Sequence, residues 1–136
     1  MTYLFYIFFG LAPSVIWLLF FLRKDSHPES NRMILKVFFY GMLAALPAVF
    51  IELGFSQQIN QLHLPSFLIS ILYVFLGIAL VEEVMKYLVV KKQVLKSSEC
   101  DEPVDIMLYM IISALGFAAL ENLFILFPLT QPFQLL

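Results

Sequence analysis

The sequence has few charged residues and almost no cysteine. Only 13% of its 136 residues are charged, against about a quarter in a soluble domain, while 62% are hydrophobic and the mean hydropathy is +0.92. A chain this poor in charge cannot cover an apolar core with polar surface, which excludes an ordinary water-soluble domain and indicates a membrane protein. The single cysteine, Cys100, excludes an internal disulfide and a cysteine-cluster metal site. The basic residues form no extended patch or repeat, which argues against nucleic-acid binding.

Four long apolar segments take the place of the missing polar surface. They cover about residues 3–22, 33–55, 64–90 and 106–127, each close to the roughly 20 residues that a helix needs to cross a bilayer. An isolated strand cannot satisfy its backbone hydrogen bonds in lipid, so these segments predict helices. The sequence therefore predicts an all-α polytopic membrane protein, with residues 1–136 forming a single transmembrane domain of four helices.

The basic residues predict the orientation of these helices. Seven of the eight lie in the first and third connections: Arg23, Lys24, Arg32, Lys36, Lys91, Lys92 and Lys96. The positive-inside rule places those connections in the cytoplasm and both chain termini outside. The first segment lacks the basic start of a signal peptide, and a basic pair follows it directly, so it is predicted to remain as a membrane anchor.

The third segment carries three ionisable residues in the run EEVMK: Glu82, Glu83 and Lys86. Each ionised group near the bilayer centre costs on the order of 2.5–3.5 kcal/mol on insertion scales, which makes such residues candidates for function. Lys86 follows Glu82 by four positions and Glu83 by three, so either carboxylate can reach the ammonium. One lysine cannot neutralise two glutamates, and the excess carboxylate suits general acid–base work on a water molecule.

The fourth segment carries a second polar pair, Glu121 and Asn122, in the run GFAALEN. Small residues before the pair, beginning with Gly116, permit the close approach of a neighbouring helix. Glu121 is a further acid or hydrogen-bond acceptor, and the Asn122 amide can donate to an oxyanion. If each segment is centred in the bilayer, Glu82 and Glu121 lie on opposite sides of the midplane, about 10–15 Å apart along its normal, unless the third segment tilts or slides.

Structural roles compete with a catalytic one for these residues. Glu82, Glu83 and Lys86 can form an ion pair that only fixes helix packing, with Lys86 reaching toward the headgroups. Glu121 and Asn122 can act only as hydrogen-bonding contacts between helices. Intramembrane carboxylates also serve as proton or cation sites in small transporters, and a polar cluster can be kept for assembly in a non-enzymatic scaffold or chaperone.

Taken together, the motifs resemble the PrsW family of intramembrane proteases. EEVMK resembles the family's EExxK signature, and GFAALEN resembles its second motif, FxxxE followed by Asn. The segments FFLRKDSHPES and EPVDIMLY resemble the family's early Asp…Pro-Glu segment and the approach to its second motif. The family is similar to the CAAX prenyl proteases and the bacteriocin-processing membrane proteases.

The resemblance implies proteolysis within a bacterial cytoplasmic membrane, with a membrane-anchored protein as substrate, such as an anti-sigma factor of stress signalling. Glu82 or Glu83 is then expected to activate water for peptide hydrolysis, Lys86 to tune the base, and Glu121 and Asn122 to complete the site. Such an enzyme is of glutamic or metallo type. The residues themselves predict no cofactor with certainty. Zinc enters by analogy with the family, with Glu82, Glu83 and Glu121 as candidate ligands, although carboxylates without histidine are unusual for zinc.

The sequence departs from the family pattern at its end. That pattern continues with further helices and a third motif containing a histidine, whereas this sequence stops at Leu136. His27 and His63 lie in connections on opposite sides of the predicted bundle and are not expected to substitute. The sequence therefore predicts either a fragment or a short homologue without activity. Glu52, near the outer end of the second segment, is interpreted as interfacial, with the lining of a pocket as its alternative role.

Overall fold

The computed structural model describes residues 2–24, 29–62, 64–97, 100 and 102–127, and these residues form four long helices and no strand. The helices are α1 (Thr2–Leu22), α2 (Asn31–Ile59), α3 (Ser66–Gln93) and α4 (Pro103–Leu126). Each is long and apolar enough to cross a membrane. The predicted all-α fold with four helices long and apolar enough to span a membrane is confirmed for the described part of the chain, and the orientation in the membrane stays a prediction.

Polar caps place several helix ends outside the predicted apolar segments. Ser30 caps α2, where its hydroxyl accepts a backbone hydrogen bond from the first turn at 3.3 Å. Helix α4 starts at Pro103 with a capping box, in which the Asp105 carboxylate accepts the backbone N–H of Glu102 at 2.7 Å. Hydropathy identifies only the apolar part of a helix, whereas the helix itself extends to a capping residue among the polar residues next to that part. The helices are therefore longer at these ends than hydropathy indicates.

The middle of α3 has a wider backbone helix than its ends. Residues Tyr73–Ala79 are π-helical, between α-helical stretches at Ser66–Leu72 and Leu80–Gln93. Within this stretch Gly77 faces the Phe55 ring of α2, and a Cβ at Gly77 would lie 2.6 Å from that ring. The glycine thus allows α2 and α3 to approach where the helix geometry changes.

Helix α4 is the central helix of the bundle. It packs against α1, α2 and α3, and α3 also packs against α2. A buried cluster joins the last turns of α1, the end of α3 and the first turns of α2 and α4. Its buried members are Leu18, Ile34, Val37, Val89, Val90, Val94, Leu108, Tyr109 and Ile112. The helix ends that flank the first and third connections therefore lie at the same end of the bundle, which we call the basic end.

Helices α2 and α4 approach most closely where two glycines meet the backbone of the opposite helix. Gly41 faces the carbonyl of Ser113, and Gly116 faces the carbonyl of Phe38. A Cβ at either glycine would overlap that backbone. Small residues at a crossing let two helix backbones approach in a membrane. This crossing holds α2 and α4 together just before the turns that carry their intramembrane carboxylates.

Near the basic end, the first connection is tied to α4 by a hydrogen bond. The Tyr109 hydroxyl donates to Glu29 Oε2 at 2.8 Å, and the Tyr109 side chain is fully buried. The two residues belong to the segments SHPES and EPVDIMLY, whose order in the sequence contributed to the family resemblance. The structure brings Glu29 of the first segment into contact with Tyr109 of the second.

Tyr109→Phe is expected to lower the free energy of unfolding by about 1–3 kcal/mol, because it removes a buried hydrogen bond to a carboxylate and leaves the ring in place. The measurement is denaturation by sodium dodecyl sulfate in mixed micelles, followed by circular dichroism. Tyr87→Phe is the matched control, since Tyr87 is 45% exposed. Equal stability of the two variants would contradict a structural role for the Tyr109 hydroxyl.

Candidate active site

Two glutamates and a lysine of α3 form one ion-paired group. Lys86 Nζ lies 3.1 Å from Glu82 Oε2 and 3.0 Å from Glu83 Oε1. Both contacts that the spacing allows are therefore present. The side chains of Lys86 and Glu82 are 12% and 22% exposed, whereas that of Glu83 is 67% exposed. Lys86 and Glu82 face the interior of the bundle, and Glu83 faces its surface.

Helix α4 contacts Lys86 at two points. Ser113 Oγ donates a hydrogen bond to the backbone carbonyl of Lys86 at 3.1 Å. One turn further along α4, the centroid of the Phe117 ring lies 4.8 Å from the Lys86 ammonium, within the range of a cation–π interaction. Helix α3 runs toward the basic end, and both glutamates precede Lys86. The ammonium is therefore directed back into the bundle and away from the headgroups at that end.

The packing of α3 on α4 sets the relative depth of Glu82 and Glu121. The two helices are antiparallel, and Lys86 lies against the turn from Ser113 to Phe117. Glu82 is one turn before Lys86, whereas Glu121 is two turns after Ser113, so Glu82 lies near the level of Phe117 and Glu121 about one turn further from the basic end. Glu82 and Glu121 also interact electrostatically. The offset along the helices is thus about one turn, roughly 5.4 Å, which is smaller than the separation expected from centred segments, because contacts between the helices determine their register.

Helix α2 adds a third carboxylate, that of Glu52. Ala48 of α2 is buried against Phe117. Glu52 lies one turn beyond Ala48, as Glu121 does beyond Phe117, and α2 and α4 run in the same direction. Glu52 is half-buried and interacts electrostatically with Glu82 and Glu121. Glu52 thus lies on the same level of the bundle as Glu121, and its pocket-lining and interfacial roles both stay predictions.

Asn122 contacts a different helix. Its Nδ2 donates to the backbone carbonyl of Gly10 in α1 at 3.4 Å. Gly10 is buried, and a Cβ there would lie 2.7 Å from the side chain of Leu123. In this arrangement the amide nitrogen is directed at α1 and ties that helix to α4.

Asn122→Ala is expected to destabilise the protein by about 0.6 kcal/mol and at most about 1.7 kcal/mol, the range measured for interhelical hydrogen bonds in membranes. Cleavage of a substrate is expected to fall less than about tenfold, because the amide is engaged with α1. The two measurements are unfolding in mixed micelles and a cleavage assay on the same preparation. A loss of cleavage above about 100-fold at unchanged stability would instead assign the amide to an oxyanion, since removal of one such donor has that effect.

The described residues do not by themselves form a metal site. Within the described ranges, no three histidine, cysteine, aspartate or glutamate side chains come together in a way that could hold a metal ion. The ligand set suggested by the family analogy, Glu82, Glu83 and Glu121, is not assembled there, since Glu83 faces the surface. His27 and His63 lie outside the described residues.

Comparison with known proteins identifies the family. A model of the PrsW family, described as intramembrane metalloproteases, matches residues 29–132, which include α2 to α4 and every member of the polar group described above. The chain belongs to the PrsW family. The resemblance based on EEVMK and GFAALEN is confirmed.

Three curated PrsW proteins show how much of the family this chain covers. It is 35% identical over 115 residues to Protease PrsW of Geobacillus kaustophilus, an alignment that covers 84% of this chain and 48% of that protein. The identity is 32% over 114 residues to Protease PrsW of Oceanobacillus iheyensis and 31% over 115 residues to that of Bacillus subtilis, with 84% of this chain and 50% of each relative covered. The chain thus spans about half the length of the curated relatives it matches. No solved structure matches it.

Proposed function

We propose that this chain carries the site of an intramembrane peptidase that hydrolyses peptide bonds of membrane-anchored proteins. The observation that carries the proposal is the pairing of Lys86 with Glu82 and Glu83 within a helix long and apolar enough to cross a membrane. Glu52 of α2 and Glu121 of α4 interact electrostatically with the same group. Membership of the PrsW family supports the reaction type.

Glu82 is the proposed general base. Its side chain is 22% exposed and faces the interior of the bundle, and its charge acts on the carboxylates of Glu52 and Glu121. It takes a proton from water, and the water oxygen attacks the carbonyl carbon of the scissile peptide bond. The carbon–nitrogen bond then breaks, and the proton held by the glutamate passes to the leaving amine. Glu83 is the second candidate base, and Lys86 offsets the charge of the pair.

Glu121 and Asn122 complete the proposed site, and Glu52 is added to it. Carboxylate oxygens accept hydrogen bonds, so Glu52 and Glu121 can hold the attacking water or the N–H groups of a substrate backbone. Asn122 acts in this proposal through its contact with α1 and positions the end of α4. The steps above use only groups of this chain. The described residues do not fit a metal ion on their own, so no step is assigned to one.

The proposed location is the bacterial plasma membrane, since the relatives come from bacteria and the helices are those of an integral membrane protein. The positive-inside rule places the basic end in the cytoplasm. The proposed substrate is a single-span protein such as an anti-sigma factor of stress signalling. Such a substrate would enter the bundle from the bilayer and present its backbone to Glu82.

The proposal is tested with the purified protein in liposomes together with a single-span reporter protein. Cleavage is expected to give two fragments whose new termini, read by mass spectrometry, lie in or next to the reporter's membrane segment. Intact reporter would overturn the proposal and favour a scaffold or chaperone. A pH-dependent proton or cation flux in the same liposomes without cleavage would favour a transporter that uses the intramembrane carboxylates.

A further inference from the structure

We propose that Ser113 and Phe117 of α4 are positioning residues that fix Lys86 as the counter-ion shared by Glu82 and Glu83. Ser113 belongs to neither motif, and Phe117 is the first residue of the FxxxE motif. The relevance of this arrangement to catalysis rests on the proposed function. The arrangement itself can be tested without catalysis.

Ser113 fixes the backbone at Lys86. Its side chain is fully buried, and its hydroxyl donates to the Lys86 carbonyl at 3.1 Å. In an α-helix that carbonyl already accepts the N–H four residues on, so Ser113 uses its second lone pair. A hydroxyl buried in an apolar bundle has no water to replace this acceptor. The hydrogen bond therefore attaches α3 to α4 at the position from which the lysine side chain extends.

Phe117 fixes the other end of the lysine. The ring is 1% exposed and packs against Ala45 and Ala48 of α2, so it has little freedom to move. Its centroid lies 4.8 Å from the Lys86 ammonium. The negative face of an aromatic ring attracts a cation, and the attraction grows when water is excluded. The ammonium thus contacts two carboxylates and one ring that is itself held by a third helix.

The spacing on α4 shows how one helix face serves the whole group. Ser113, Phe117 and Glu121 follow one another at intervals of four residues and therefore lie along one face. Ser113 bonds the Lys86 backbone, and Phe117 contacts the Lys86 ammonium. Glu121 interacts electrostatically with Glu82. A lysine without these contacts is long enough to extend to the headgroups. With them it stays beside the glutamates.

The direct test measures how fast the Lys86 amine reacts. The purified protein in micelles is treated with formaldehyde and cyanoborohydride, and methylation of each lysine is followed by mass spectrometry. Phe117→Leu is expected to raise the methylation rate of Lys86 by about two- to thirtyfold, the range that corresponds to a lost cation–π interaction. Lys91 and Lys92, both exposed, serve as internal standards whose rates are expected to stay unchanged.

Three further variants make this test specific. Phe117→Tyr keeps the ring and is expected to keep the slow reaction. Ser113→Ala is expected to raise the rate several-fold, whereas Ser70→Ala is not, since the Ser70 hydroxyl bonds only the Ser66 carbonyl of its own helix, at 3.0 Å. Unchanged Lys86 rates in Phe117→Leu and Ser113→Ala would overturn the proposal. If Phe117→Leu does not fold, Ser113→Ala against Ser70→Ala decides it.

A cleavage assay separates this proposal from the proposed function. Phe117→Leu is expected to lower kcat by about two- to thirtyfold at unchanged KM, again the range of the lost interaction. The pH profile of kcat is expected to shift, because a displaced Lys86 ammonium no longer acts in the same way on the carboxylates around it. These carboxylates belong to Glu52, Glu82, Glu83 and Glu121. Phe117→Tyr is expected to restore both. Absence of cleavage by the unaltered protein would count against the proposed function, while the methylation rates would still decide the role of Ser113 and Phe117.

Discussion

Glu82→Gln is expected to lower the cleavage of a single-span substrate by about 100-fold or more, the contribution of a general base. Glutamine keeps the size of the side chain and can still accept a hydrogen bond, but it cannot take a proton from water at neutral pH. Lys86 keeps Glu83 as a partner at 3.0 Å, so the variant does not leave the ammonium unpaired. The protein is therefore expected to fold and to bind substrate with little change in KM.

Glu83→Gln tests the second candidate base under the same conditions. With Glu82 as the base, it is expected to lower cleavage by about fivefold or less, the effect of losing an exposed ion pair, because Glu83 is 67% exposed and Lys86 keeps Glu82 at 3.1 Å. A loss of about 100-fold or more would instead assign the base to Glu83. Tyr87→Phe is the matched control: it alters an exposed side chain on the turn next to Lys86 and is expected to leave cleavage unchanged. Quantitative immunoblotting of fragments in membranes gives the rates. Rates within threefold of the unaltered protein for both glutamine variants would refute the roles proposed here.

Gly116→Ala is expected to destabilise the protein by about 3 kcal/mol or more, the upper part of the range for an overpacked core. The added methyl group would overlap the Phe38 carbonyl, and a backbone atom cannot rotate away as the end of a side chain can. Relief therefore requires α2 and α4 to separate. Because Glu52 and Glu121 follow this crossing on the two helices, cleavage is expected to fall together with stability.

Gly41→Ala is expected to have a similar effect, since its methyl group would overlap the Ser113 carbonyl at the same crossing. The double variant is expected to cost less than the sum of the two, because one separation of the helices relieves both overlaps. Gly54→Ala is the control: nothing lies within 4 Å of a Cβ at Gly54, and alanine favours a helix. Unfolding in mixed micelles measures all four variants. Equal stability of Gly116→Ala and Gly54→Ala would contradict the close crossing.

The four helices could be predicted from the sequence because lipid leaves few alternatives. A long apolar segment must satisfy its backbone internally, so hydropathy alone identifies the helix. The ion pairs of Lys86 could also be predicted, since the spacing within one helix determines which side chains meet. The ends of the helices could not, because Ser30 and the Glu102–Asp105 capping box act through local hydrogen bonds that hydropathy does not detect.

The relative depths of the helices could not be predicted from the midpoints of the apolar segments. Register depends on contacts such as Gly116 with Phe38 and Ser113 with Lys86, which are distant in sequence. For that reason the segment midpoints gave too large a separation in depth between Glu82 and Glu121. The sequence did carry a signal for Glu52, which is an ionisable residue one turn beyond the buried small residue Ala48 on an apolar helix. Ser113 carried no such signal, because a serine in a membrane helix most simply bonds its own helix.

The π-helical stretch of α3 lets the two ends of the helix differ in rotation about the helix axis. The direction in which the charged turn points is therefore set independently of the first half. A π-type hydrogen bond encloses one residue more than an α-type bond, and one residue corresponds to a rotation of about 100° in an α-helix. Ser66–Leu72 buries no residue, whereas Leu80–Gln93 buries Val89 and Val90. The first half therefore has no buried residue that fixes its rotation, whereas contacts with α4 fix the rotation of the second half. Removing a single residue from Tyr73–Ala79 is expected to rotate Ser66–Leu72 about the helix axis. The orientations of Glu82, Glu83 and Lys86 are expected to stay unchanged.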